Sequence, residues 1–187
     1  MKLIQAKIVD FERLTLFYRY VIDHTENMNI YGRWIYGLHP TDELIRKYIL
    51  SGSMYYCEEG GSINAAVAVV PSQGEEYHDI EWSLSLEDHE VATIHILCVN
   101  PKVQKQGVAR EVMEQIINLV RSIDKKAVRL DALSCNIPAQ HLYESLGFEC
   151  RGKQKWYACN VGWTDFLLYE FKVKEWKGDL CISQMKV

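Results

Sequence analysis

A chain of 187 residues with 48% hydrophobic content is long enough for one well-formed core and short for two ordinary domains. Its 21 basic residues against 25 acidic ones leave a formal charge of -4, which gives no basic footprint and argues against nucleic acid as a partner. Six cysteines scattered without a Cys-x-x-Cys pair argue against a zinc site, so no metal is expected; no stretch reaches transmembrane length, and polar residues interrupt every short apolar run behind Met1. These features predict free thiols in a reducing cytoplasm and no membrane partner.

Residues 3–9 read as an opening strand. From Phe11 to His24 the apolar Leu14, Phe17, Tyr18 and Val21 recur at three- and four-residue intervals, which predicts a helix. Thr41 is an N-cap candidate for a second helix reaching about Leu50, and residues 27–37 between the two are rich in aromatic and polar side chains. Gly60-Gly61, between apolar runs at 54–59 and 63–70, signals a hairpin. Residues 72–90 break this regularity: seven of them are Asp or Glu, which reads first as a solvated loop or hairpin extension and second as a long loop lining a site.

An apolar strand follows at 91–99, then a helix at 107–122 whose buried face is Val108, Val112, Met113, Ile116, Ile117 and Val120. A strand at 127–133, a helix at 137–146 with Pro138 near its start and Gly147 as its stop, and strands at 148–157 and 163–173 complete the pattern. The βαβ alternation over 91–134 implies a parallel pair with a right-handed crossover, and the flanking hairpins add antiparallel strands. The expected class is mixed α/β (α+β), with a central, mostly antiparallel sheet and helices on both faces. We expect one domain over residues 1–173; residues 174–187, with Trp176 and Leu180, form an extension without a clear assignment.

The junction of the 91–99 strand with the following helix carries the most chemistry. Backbone N–H groups at a helix start lack intrahelical partners, and with the helix dipole they form an anion site. Gly107 allows close backbone approach, and Lys102, Lys105 and Arg110 surround the turn with positive charge. The turn Gln104-x-x-Gly107-x-Ala109 and the helix Asn136…Ala139…Tyr143…Gly147-Phe148 together resemble the GCN5-related N-acetyltransferase (GNAT) superfamily, closely over about residues 91–150.

The resemblance implies a splayed central parallel pair, with acetyl-coenzyme A (acetyl-CoA) in the gap as cosubstrate. Its pantetheine would pair with exposed backbone of Leu97 and Val99, and its pyrophosphate would lie on the backbone of Gln104, Lys105, Gln106, Gly107, Val108, Ala109 and Arg110. Ala109 stands where many members have Gly, which leaves the N–H groups available. Asn136 reads as the N-cap of its helix and also as a pantetheine contact. A backbone N–H near Leu97 or Cys98 would polarise the thioester carbonyl, and Tyr143 aligns with the family tyrosine that acts as general acid beside the cofactor sulfur.

The general base has two candidates. His95 resembles a histidine of arylalkylamine acetyltransferases; simple strand alternation places Leu97 and Val99 on its face, and Ile94, Ile96 and Cys98 on the other. Glu81, in the acidic connection, is the second. A covalent acetyl-Cys98 intermediate is disfavoured, because a strand cysteine without an adjacent cation is an inert small hydrophobe. Tyr31, Trp34, Tyr36, His39, Trp156, Tyr157 and Trp163 are aromatic candidates for the acceptor pocket. The expected activity is direct acetyl transfer to the primary amine of a small molecule; a protein or peptide amine, and a non-enzymatic acyl-CoA sensing module, remain as alternatives, and a homodimer is common in the superfamily. A dinucleotide oxidoreductase is disfavoured, because no Gly-x-Gly-x-x-Gly follows the first strand.

Overall fold

The structure, a computed structural model, describes residues 1–173, so the extension carrying Trp176 and Leu180 lies outside the described residues. Seven strands, β1 (Leu3–Gln5), β2 (Met54–Glu59), β3 (Ser62–Val70), β4 (Val91–Val99), β5 (Ala127–Leu133), β6 (Glu149–Ala158) and β7 (Gly162–Lys172), form one sheet in the order β1-β2-β3-β4-β5-β7-β6. Only β4 and β5 run parallel; the other neighbours are antiparallel. The crossover between them is α3 (Val108–Ser122), the longest helix described, and its apolar stripe of Val112, Met113, Ile116 and Val120 is almost wholly buried.

The sheet is packed on both faces. Helix α3 and α4 (Ile137–Ser145) cover one side, over Val67, Val69, Ala92, Ile94, Val128 and Leu130. Helices α1 (Phe11–His24) and α2 (Asp42–Leu50) cover the other, where Leu14, Tyr18, Val21, Ile45 and Ile49 pack on Met54, Ala66, Ala68, Ile96 and Cys98. Thr41 caps α2 through its side chain, which accepts from the Leu44 N–H at 3.1 Å.

Three segments depart from the sequence expectation. The opening strand ends at Gln5, and Ile8–Asp10 turns as a 3-10 helix held by the Asp10 carboxylate on the Lys7 N–H. Gly107 is the left-handed N-cap of α3 rather than its first residue. The acidic connection is solvated on one side, with Glu75, Glu76, Asp79, Glu81 and Glu87 exposed, and packed on the other: Tyr77 and Ile80 are buried, and the Glu170 carboxylate of β7 accepts from both the N–H and the hydroxyl of Ser83. Alternating apolar residues between the acids supply the buried side of this segment, a signal that its charge density obscured.

Candidate active site

The parallel pair opens into a fork. Pairing of β4 with β5 spans Val91↔Ala127 to Ile94↔Leu130 and stops, although β4 continues to Val99 and β5 to Leu133. Each strand stays paired on its outer side, β4 with β3 as far as Val99 and β5 with β7 as far as Leu133, so both edges of the gap are held rigidly. The facing backbone of Leu97 and Val99 is therefore available to an extended ligand as one more strand.

A β-bulge in β4 shapes this gap. Ala68 faces His95 and Ala66 faces Cys98, so Ile96 and Leu97 together oppose Val67, and Ile96 has φ 46. The extra residue breaks the strand's two-residue period. Ile94, Leu97 and Val99 face the α3 side, while Ile96 and Cys98 join the core under α1, and the His95 ring lies parallel to the Tyr48 ring of α2 at 6.0 Å. His95 thus shares its face with Ile96 and Cys98, opposite to the alternation expected from sequence, because the bulge inserts one residue after His95.

Where α3 begins, the chain is shaped for an anion. Lys105 (φ 63) and Gly107 (φ 83) are both left-handed, no side chain caps the helix, and a Cβ built on Gly107 would meet nothing within 4 Å. The N–H groups of Val108, Ala109 and Arg110 have no acceptor among the described residues, and Lys102 and Lys105 are exposed beside them. Gln104 fixes the turn, its amide donating to the Val99 carbonyl at 3.1 Å and to Thr25 Oγ1 at 3.4 Å. The Gln106 amide donates to the Lys102 carbonyl, and Arg110 is engaged with Ser145 Oγ at 2.6 Å. Val108 is buried, so its backbone alone can serve a ligand. The turn and the fork, contiguous at Val99, fit the pyrophosphate and the pantetheine of a coenzyme A thioester respectively.

Tyr143 of α4 is buried against Phe148 (5.8 Å) and Tyr169 (5.7 Å), yet its hydroxyl makes no hydrogen bond among the described residues and is not sealed from solvent. Burial first, and the charge of Asp131 second, push the phenol pKa up, so it stays protonated at neutral pH. Asn136 caps α4, its side chain accepting from the Ala139 N–H at 3.3 Å, and holds the helix that carries Tyr143.

The opposite side of the fork is lined by Asp131 of β5, the first residue beyond the last paired position, with Tyr77 Oη donating to its Oδ1 at 2.7 Å. Asp131 was not singled out from the sequence; a lone acid in a strand gives no local signal until the strand is seen to end its pairing there. His95 has a defined tautomer. Thr93 Oγ1 gives its single hydrogen to the Ser72 carbonyl at 2.9 Å, so it accepts from His95 Nε2–H at 3.1 Å and leaves the Nδ1 lone pair free. Burial lowers the His95 pKa, against the pull of Asp131 and Glu76, and favours the neutral ring.

Glu81 lies elsewhere. It is exposed, its carbonyl accepts from Arg151 of β6, and it borders a cavity of about 580 Å³ around Gln73, Trp82 and the buried Arg129. Cys98 points into the core beneath α1, and burial pushes its thiol pKa up, which disfavours the thiolate. The aromatic candidates divide. Trp34 and His39 pack edge to face at 5.6 Å, and Trp156 meets Tyr77 at 5.9 Å, so these border the acceptor side. Tyr36 is tied to Asp42 and Arg19, and Tyr157 and Trp163 are largely exposed on the β6–β7 hairpin. The connection between α1 and α2 spans from β5 to that hairpin: Cys135 Sγ approaches the Tyr31 carbonyl at 3.8 Å, and Asn160 Nδ2 donates to the Arg33 carbonyl at 2.7 Å.

Comparison with known proteins identifies the family and the fold. The model of the acetyltransferase (GNAT) family matches residues 20–148, and the chain belongs to that family, whose members transfer an acyl group from acetyl-CoA. No curated protein matches it in sequence. Among solved structures it is similar to a GNAT-family acetyltransferase of Streptococcus agalactiae, with TM-score 0.72 at 20% identity over 93% of this chain and 95% of the other. It also resembles yncA of Salmonella typhimurium, solved with its cofactor acetyl-CoA (TM-score 0.66, 17% identity, 94% and 95% covered). A third is the ribosomal-protein-S18-alanine N-acetyltransferase of Escherichia coli (TM-score 0.63, 17% identity, 96% and 97% covered). At these identities the likeness is one of fold.

Proposed function

We propose that this protein is a single-domain, acetyl-CoA-dependent N-acetyltransferase that modifies the primary amine of a small molecule by direct transfer. One observation carries the reading: the fork between β4 and β5 has on one side a protonated Tyr143 hydroxyl without a hydrogen-bond partner among the described residues, and on the other the Asp131 carboxylate with a neutral His95. Acetyl-CoA supplies the activated acyl carbon and a thiolate leaving group. The residues of this chain supply the rest.

His95 Nδ1 takes one proton from the acceptor ammonium, which frees the nitrogen lone pair for attack. The Leu97 N–H, within the bulge, stabilises charge developing on the acyl oxygen. As the nitrogen–carbon bond forms and the carbon–sulfur bond breaks, Tyr143 gives its proton to the departing sulfur. The amide nitrogen loses its second proton, which restores the Tyr143 phenol through solvent, and His95 releases its own proton; the balance is one amide, one thiol and one proton. Glu81, exposed beside Arg151, is not assigned to this chemistry.

The bridge of the α1–α2 connection to the β6–β7 hairpin roofs the acceptor side and supports a small acceptor over a segment of a folded protein. The test pairs two variants. Tyr143→Phe should lower kcat at least tenfold with acetyl-CoA affinity unchanged, and Gly107→Glu should abolish acetyl-CoA binding in calorimetry with the fold retained. Binding by the unaltered protein without acetylation of any amine would instead make it an acyl-CoA sensing module.

A further inference from the structure

Asp131 is a half-buried carboxylate without a counter-charge among the described residues. Among the described residues no Lys or Arg forms an ion pair with it, and Tyr77 supplies its one hydrogen bond, to Oδ1. The nearest cation along β5 on the same face is Arg129, and that guanidinium is consumed elsewhere. It donates to the Glu170 carboxylate from Nε and Nη2, to Gln73 Oε1 and to the Leu84 carbonyl, and it stacks on Trp82 at 4.3 Å. The Asp131 charge acts on Tyr48, Tyr77, Tyr143, His39 and His95, each of which is uncharged at neutral pH. A carboxylate withdrawn from water without a cation is costly, and a cationic ligand removes that cost.

Its surroundings define what kind of cation. Tyr48 and His95 form a parallel pair, and Trp34, His39 and Trp156 add partly exposed ring surface around the same opening. Ring faces attract a cation and cover a flat apolar body. We infer that Asp131 Oδ2, flanked by the Tyr77 hydroxyl, binds the ammonium group of the acceptor, and that the site selects primary amines carried as cations on a flat apolar body. This rests on the acetyltransferase reading for its consequence in turnover but not for its binding prediction.

The experiment uses protein loaded with coenzyme A, which cannot transfer an acyl group, titrated with 2-phenylethylamine and with O-benzylhydroxylamine, a similar primary amine that is uncharged at neutral pH. The unaltered protein should bind the charged amine at least tenfold more tightly. Asp131→Asn, which keeps an acceptor for Tyr77 and removes only the charge, should erase that preference with coenzyme A affinity unchanged; Asp131→Glu should retain part of it. In turnover with acetyl-CoA, Asp131→Asn should raise KM for 2-phenylethylamine at least tenfold and change kcat less. Equal affinity for the two amines, no binding of either, or an Asp131→Asn variant that keeps its preference would each overturn the inference. So would loss of kcat with KM intact, which would make Asp131 a base. Binding through Asp131 without acetyl transfer would overturn the acetyltransferase reading and leave the ammonium site standing.

Discussion

Tyr18 Oη donates a hydrogen bond of 3.0 Å to the main-chain carbonyl of Ile96. Tyr18 is fully buried in α1, and Ile96 is a β-branched residue held at positive φ, a conformation that persists only when its surroundings impose it. The carbonyl points out of the sheet toward α1, so the Leu97 N–H, at the other end of the same trans peptide, points to the opposite side. That is the side of α3 and the anion turn. Tyr18→Phe leaves the buried carbonyl without a donor, a cost of about 1–3 kcal/mol, and thermal melting should fall by roughly 2–10 °C. It should also lower kcat for transfer several-fold while acetyl-CoA affinity stays constant. A lower melting temperature with unchanged kcat would confine Tyr18 to a structural role.

Two imidazoles make stability depend on pH. Burial, the larger cause, lowers the pKa of His39 and of His95, with Asp131 opposing it in both. In the unfolded chain they take up protons near the ordinary value of about 6.5, so below that pH the unfolded state binds more protons and stability falls. The contribution is complete above about pH 6.5 and is lost as pH drops toward the folded values. Melting temperature should decline from pH 7.5 to 5.5, and a His39→Gln, His95→Gln double variant should decline less. His78, exposed and raised by Asp88, acts with the opposite sign, so the difference between the two proteins is the quantity to compare.

Cys98 provides a check on direct transfer. With its thiol raised by burial and enclosed beneath α1, it should be dispensable to chemistry. Cys98→Ala should retain kcat within about threefold and lose about 1 kcal/mol of stability from the missing sulfur contacts. Parallel rather than intersecting initial-velocity lines, together with inactivity of this variant, would establish a covalent route instead.

The Arg129–Glu170 pair is enclosed on all sides and holds the 72–90 cover through Gln73, Ser83 and the Leu84 carbonyl. Glu170→Gln leaves the guanidinium without its counter-charge and should cost about 3–5 kcal/mol in urea unfolding. Because Tyr77 belongs to that cover, the variant should also weaken amine binding more than acetyl-CoA binding. Replacing both members, as Arg129→Met with Glu170→Met, should cost less than the single change.

What was legible in the sequence is what depends on near neighbours along the chain. The left-handed Gly107 before an apolar helical stripe, and Asn136 followed by Pro138, Tyr143 and Gly147, are short-range arrangements whose hydrogen bonds close within a few residues. They sufficed for the family, the turn before α3 and the helix that carries Tyr143. The side chains around the acceptor were less legible. Counting alternate residues put Leu97 and Val99 on the face of His95 in place of Ile96 and Cys98, because a bulge is a property of two paired strands and Ile96 leaves no sign of one in β4 alone. Charge density drew Glu81 forward as a base, whereas Asp131 emerged only where the pairing of β4 with β5 ends. The sequence by itself determined most of the elements and the glycine turn that opens α3, since local propensity and periodicity specify them. Only the tertiary structure decided which side chains meet in the fork, because register, bulge and burial arise from strands far apart in the chain.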